Sequence, residues 1–183
     1  MKKFKILFIS LVLISGTVFA QKGVMKIEPS IVIAFPTGDG LNTGFGINGT
    51  FFYGINENVD LTGTLGYLSW GTEFDGGSFS SIPVLFGGRY SFDIEGNITP
   101  YGAVELGFHF TSFSFDMPSY EIGGVTYGGG SESVSETEFG FGIGGGAYFP
   151  VGDNLIIDAN LQYNTMGSYD GYFAIRGGVI FGI

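Results

Sequence analysis

Cysteine is absent from the 183-residue sequence, and histidine and tryptophan occur once each. Without cysteine there is no disulfide framework, zinc ribbon, thiol chemistry or lipid-modified cysteine. The single histidine, His109, cannot build a multi-histidine metal centre. Charge is scarce too, at 13% of residues against about 25% in an ordinary globular domain. Basic residues are the scarcest, and Lys2, Lys3 and Lys5 lie at the extreme N-terminus. Beyond residue 20 only Lys22, Lys26, Arg89 and Arg176 remain against 17 acids, a net charge of 4 − 17 = −13. Such a chain has no basic patch with which to neutralise phosphates, so nucleic-acid binding is excluded.

What is abundant points to strands. Glycine supplies 34 residues and aromatics 17%. Glycine at that level disfavours helical bundles, its lack of a three-residue period excludes collagen, and the aromatic content excludes a disordered chain. Residues 1–20 read as a secretory signal peptide. Lys2, Lys3 and Lys5 give the basic start, Ile6 to Ile14 the apolar core, and Val18 and Ala20 the small residues before cleavage. Residues 21–183 form the mature domain.

From residue 24 onward the apolar period is two, the signature of a strand with two unlike faces. Phe45, Ile47, Phe51 and Tyr53 share one face; Leu61, Leu65 and Tyr67 share the next. Further apolar rows are Val104, Leu106, Phe108 and Phe110, and then Phe139, Phe141, Ile143, Ala147 and Phe149. Eight such segments of about ten to fourteen residues follow one another. Short turns at 54–58, 93–97 and 151–154 alternate with longer connections at 36–42, 71–79, 116–135 and 167–171. This pattern predicts an all-β, eight-stranded, antiparallel up-and-down barrel.

The direction of the faces decides the environment. Eight strands enclose barely enough space to be filled by ordinary side chains, far too little for 20 Phe and 10 Tyr. Turned outward, the apolar faces form the band that lipid requires, and closure leaves no unpaired edge. Tyr53, Tyr90, Phe92, Phe149 and Phe181 then fall in one aromatic girdle at the short-turn end. Phe35, Phe45, Tyr67, Phe110, Tyr163 and Phe173 fall in another at the long-loop end. The expectation is a transmembrane barrel of a bacterial outer membrane. A soluble, lipocalin-like periplasmic binder with the apolar face inward is the alternative.

As architecture, residues 21–183 resemble the small eight-stranded outer-membrane barrel family, which includes the outer membrane protein A transmembrane domain and outer membrane protein X. The C-terminal strand, residues 172–183, is similar to that family's insertion signal, with alternating apolar residues to the last position. It departs in ending on Ile183 where Phe is usual. The resemblance implies outer-membrane lipid and lipopolysaccharide as surroundings, the barrel-insertion machinery as a partner of residues 172–183, and a structural or adhesive role. Surface partners would meet the loops at 71–79 and 116–135.

The opposite faces place Lys26, Glu28, Asp60, Arg89, Glu105, His109, Glu138, Asp158 and Arg176 in the lumen. Charges confined there must pair with one another, which predicts a filled interior, with Arg89 and Glu105 on adjacent strands as the pair to test. A narrow solute channel is the alternative. His109 with Thr111 two positions on is a weak match to outer-membrane acyl hydrolases, and no orienting acid is evident; the expectation is no enzyme, catalytic residue, metal or cofactor. Gly142-x-Gly144-x-x-Ala147 matches a dinucleotide fingerprint but lies inside one alternating segment, not at a strand–helix turn. Its glycines instead make room for long side chains or permit curvature. The acidic segment 116–135 lacks the spacing of a calcium loop.

Overall fold

In a computed structural model the chain is described over residues 23–73, 76–151 and 155–183. Residues 1–20, where the sequence leads one to expect an export signal, and the centre of the turn at 151–154 lie outside the described residues. Eight strands run in chain order: β1 (Met25–Pro36), β2 (Gly44–Gly54), β3 (Val59–Gly71), β4 (Gly77–Ser91), β5 (Thr99–Ile122), β6 (Val125–Pro150), β7 (Leu155–Met166) and β8 (Tyr169–Gly182). Each pairs antiparallel with the next, and β1 closes on β8, from Lys26↔Gly182 to Pro36↔Tyr172. The β2–β3 turn is built by Asn56, whose Oδ1 accepts from the backbone N–H of Asn58 and Val59, both at 2.9 Å. That is the turn chemistry expected of asparagine.

Two prolines show how the ladder tolerates a missing donor. At Pro29 the β1–β8 pairing jumps from Ile27↔Phe181 to Ser30↔Gly178, and near Pro83 the β3–β4 pairing jumps from Leu65↔Val84 to Leu68↔Ser81. Proline has no N–H to give, so each sits where the ladder is interrupted.

The faces are those of a membrane barrel and the reverse of a soluble one. Ile31 is 67% exposed and Phe86 64%, while Glu28, Arg89, Glu105, Asp158 and Arg176 are each 4% exposed or less. This arrangement replaces the lipocalin-like alternative, because apolar side chains left outside need lipid around them. On β5 the outward row runs Val104, Leu106, Phe108, Phe110 and then turns polar at Ser112, Ser114 and Asp116; on β6 it runs Ile143, Phe141, Phe139 and then Thr137, Ser135 and Ser133. Counted from Pro100, with Gly102 between, to Phe110, the outward side of β5 carries no polar side chain, a stretch that matches the ~9–11 tilted residues that cross a bilayer.

Segment 116–135 is not an irregular loop. β5 and β6 are 24 and 26 residues long, well beyond ten to fourteen, and their pairing continues past the membrane boundary to Ile122↔Val125. The hairpin closes through Gly123 and Gly124, both at positive φ (62° and 80°), the conformation a two-residue hairpin loop demands. Segment 71–79 is likewise partly strand, since β4 begins at Gly77. Serine, threonine and glycine dominate the extension, and that composition reads as loop; continued cross-strand pairing outweighs it.

The boundary on β5 and β6 generates a test. Leu65→Arg, in the lipid-facing row of β3, is expected to lower stability in phosphatidylcholine vesicles by about 2–4 kcal/mol. Ser133→Arg, outward but beyond the apolar row, should stay within about 0.5 kcal/mol. Urea unfolding of the two variants in vesicles measures both.

Candidate functional site

The charged lumen is stratified along the barrel axis. Nearest the short turns, Lys26 Nζ lies 3.0 Å from Asp60 Oδ2, with side chains 25% and 11% exposed. Above it Arg89, from β4, holds two acids brought by β1 and β7. Its Nη1 donates to Asp158 Oδ2 at 2.9 Å and lies 3.1 Å from Glu28 Oε2. The second contact is ionic, without hydrogen-bond alignment. Tyr101, from β5, donates its hydroxyl to both oxygens of Asp158 (2.8 and 2.9 Å) and accepts from Asn160 Nδ2 at 3.0 Å. Arg89 also donates to the Tyr148 hydroxyl at 3.3 Å. Its guanidinium carbon lies 4.7 Å from the ring centres of both Phe52 and Tyr101. A planar cation that stacks on rings while bonding in its own plane is a role for arginine, not lysine.

A second layer centres on Glu105 of β5. Its Oε2 receives Arg176 Nη1 at 3.2 Å and Gln162 Nε2 at 2.8 Å; its Oε1 receives Thr64 Oγ1 at 2.7 Å. Thr64 is joined in turn to Thr50 at 3.1 Å. β6 contributes space to both layers. A Cβ at Gly146 would come within 2.6 Å of the Tyr101 hydroxyl, and one at Gly142 would fall on the Gln162 amide. The inward glycines therefore make room for the long polar side chains, one of the two uses the sequence offers for them.

Toward the long loops the lumen turns apolar. Val32, Ala34, Leu68, Trp70, Phe79, Met166, Tyr172 and Ala174 form one buried cluster. At the other end Phe52, Tyr101, Ala103, Tyr148 and Ile180 form a second. Most of these inward aromatics escape a search for polar faces, yet parity reveals them. Phe52 sits between the outward Phe51 and Tyr53, and Tyr172 is four residues from the inward Arg176.

Contrary to the expectation from the sequence, Arg89 does not pair with Glu105. Arg89 lies opposite Ala103 in the ladder, Glu105 lies opposite Gly87, and each takes its partner from across the lumen. Glu138 does not join the interior layers. Its carboxylate receives Ser168 Oγ at 2.7 Å and the Ser168 backbone N–H at 3.2 Å, at the long-loop rim. The β6–β7 ladder ends at Gly142↔Asn164, before β6 reaches Glu138, so the side chain meets the β7–β8 turn. The girdle residues project outward at the two ends, with Tyr90 and Phe92 edge-to-face at 5.2 Å and Tyr163 against Phe173 at 5.1 Å.

His109 is fully buried, its Nδ1 3.3 Å from Ser81 Oγ and its ring edge-on to Tyr172. Thr111 instead donates to the Glu136 carbonyl at 3.2 Å. Glu105 is committed to Arg176, Gln162 and Thr64, and Glu138, opposite His109 in the β5–β6 ladder, to Ser168, so among the described residues no acid orients the ring as a triad requires. Among the described residues no three His, Asp or Glu side chains converge as a metal site.

A closed barrel with an apolar belt outside and paired charges within is an integral membrane β-barrel. The chain belongs to the outer membrane protein beta-barrel domain family, whose model matches residues 6–179. No curated protein matches it in sequence. Its fold is similar to Neisserial surface protein A (18% identity, 89% of this chain and 98% of that one, TM-score 0.61). It is similar also to Ail of Yersinia pestis (23%, 88% and 100%, 0.56). A major outer membrane protein of Thermus thermophilus shares the fold at 12% identity over 87% and 99% of the chains, with a TM-score of 0.64. The outer membrane is thus where this chain resides.

The layering predicts unequal costs. Arg89→Met leaves Glu28 and Asp158 buried without their cation and is expected to destabilise the barrel by about 3–5 kcal/mol. Lys26→Met, at the wet end, should cost no more than about 1 kcal/mol. Equal losses in urea titrations would show that Arg89 is not the interior's organising charge.

Proposed function

We propose that this barrel has a structural and surface-interactive role in the outer membrane, with its lumen filled and its long-loop end presented outward. The observation that carries the reading is the β5–β6 hairpin. β4 follows β5 only as far as Phe115, and β7 follows β6 only to Gly142, so the two strands continue alone to Ile122 and Val125. A stiff, paired projection costs less entropy to dock than a free loop of that length. Tyr169 and Ser168 brace its base through Glu136 (2.7 Å) and Glu138.

Residues 1–20 serve as the export signal, cleaved after Ala20, and residues 21–183 as the barrel domain. Residues 172–183 engage the insertion machinery, and the girdles meet lipid and lipopolysaccharide. No catalytic activity is assigned, since among the described residues no acid orients His109 and its ring is buried away from lipid. One structure of Ail holds the heparin analogue sucrose octasulfate. A polyanion does not suit this chain, which has no Lys or Arg between Lys26 and Arg89 or between Arg89 and Arg176. Its long connections carry only acids, including Asp39, Glu73, Asp116, Glu121, Glu132 and Asp170.

Two measurements test the role. In planar bilayers the wild-type barrel should give no discrete conductance steps, because two layers of buried side chains block the lumen; regular steps would favour the narrow-channel alternative. Replacing residues 117–130 with an Asn-Gly turn should leave insertion intact and reduce adherence of expressing cells to the level of cells lacking the protein. Undiminished adherence would remove the hairpin from the role.

A further inference from the structure

The long-loop mouth of the barrel contains a cavity of about 410 Å³ bordered by strand ends and by the hairpin. Its volume falls within the range of small-molecule sites, about 300–1,000 Å³. Four aromatic rings run along it in one series: Tyr172 meets Trp70 at 5.4 Å, Trp70 meets Phe79 at 5.6 Å, and Phe79 meets Tyr169 at 5.6 Å. Trp70, Phe79 and Tyr172 are at least 96% buried, whereas Tyr169 is 39% exposed. The series therefore leads from a closed floor to an open rim.

The hairpin supplies a wall by inverting its faces. Below the membrane boundary the inward side of β5 carries Glu105 and His109; above it the same side carries Phe113, Phe115 and Met117, each 41–42% exposed. Phe113 lines the cavity. Outward neighbours at this level are Ser112 and Ser114, so the apolar residues face the mouth and not lipid. Large apolar side chains left half-exposed around a concave site mark a binding surface more than a packing need.

Charge selects the ligand. Asp39 and Asp170 line the same cavity and are exposed, and no basic residue occurs in any of the long connections. Aromatic faces attract cations within about 6 Å of the ring centre, and acids at the rim add to that field. We propose that this mouth is a binding site for a small amphipathic organic cation, with an ammonium group held between Asp39, Asp170 and the outer aromatic faces and an apolar body lying against Phe113 and Tyr169, above the floor that Trp70 and Phe79 form. The filled lumen beneath makes it a terminal site, not an entrance.

Trp70 is the chain's only tryptophan, so its emission reports the floor directly. The test titrates the refolded full-length domain in non-ionic micelles with 4-phenylbutyltrimethylammonium, using protein-free micelles as blank and 4-phenylbutylsulfonate as the anion of matched body. The expected result is a saturable change in Trp70 emission with the ammonium and none with the sulfonate over the same range. The affinity should weaken at least fivefold in the double variant Asp39→Asn/Asp170→Asn, with Phe113→Ala weakening it independently. Both positions of the double variant are exposed, and gel mobility before and after boiling verifies that each variant is folded. The proposal is overturned if the ammonium gives no saturable change, if the sulfonate binds as well, or if the double variant binds unchanged. The assay uses neither adherence nor membrane orientation, so its failure would leave the surface role standing, and the reverse holds too.

Discussion

A backbone in lipid has no water to bond to, and every other feature of this barrel follows from that constraint. Each unsatisfied peptide group in hydrocarbon costs several kcal/mol, so the sheet must close, which it does through β1 and β8. Closure with a period of two sends one face of every strand to lipid and the other into a narrow lumen. The outward face can hold only apolar and interfacial side chains. The sequence's few charges within the membrane therefore have nowhere to go but inward.

Once inside, they are organised by the shortage of cations. Two arginines serve three deeply buried acids, Glu28, Asp158 and Glu105, and the deficit is met by neutral donors: Tyr101 on Asp158, and Gln162 and Thr64 on Glu105. Sharing one guanidinium between two carboxylates is feasible because arginine presents several N–H groups in a plane while its faces rest on Phe52 and Tyr101. The glycines of β6 are the counterpart, since the lumen has room for these side chains only where the facing wall has none. Charge pairing, aromatic stacking and glycine placement form one arrangement across all eight strands.

Much of this was legible in the sequence, and the reasons are physical. The two-residue period, the turn residues and the excess of aromatics over available interior volume define the barrel and its inverted faces. Parity alone also places Glu28, Arg89, Glu105, Asp158 and Arg176 inward. Their partners were not legible, because pairing across a lumen depends on strand stagger and tilt, which a linear pattern does not encode; Arg89 and Glu105 look adjacent and are not joined. Glu138 has inward parity but stands past the height at which β7 ends. The β5–β6 extension reads as loop because its outward residues change from Phe to Ser at the membrane boundary. The pairing itself continues.

The central claim is a closed, lipid-embedded barrel with its apolar face outward. It is tested most directly by electrophoresis of the outer-membrane fraction, with unboiled and boiled samples side by side. The account predicts that the chain is found in that fraction and that the unboiled form migrates differently from the boiled one, because a closed, fully paired sheet resists detergent until heated. Recovery in the soluble periplasm with identical mobility before and after boiling would contradict it.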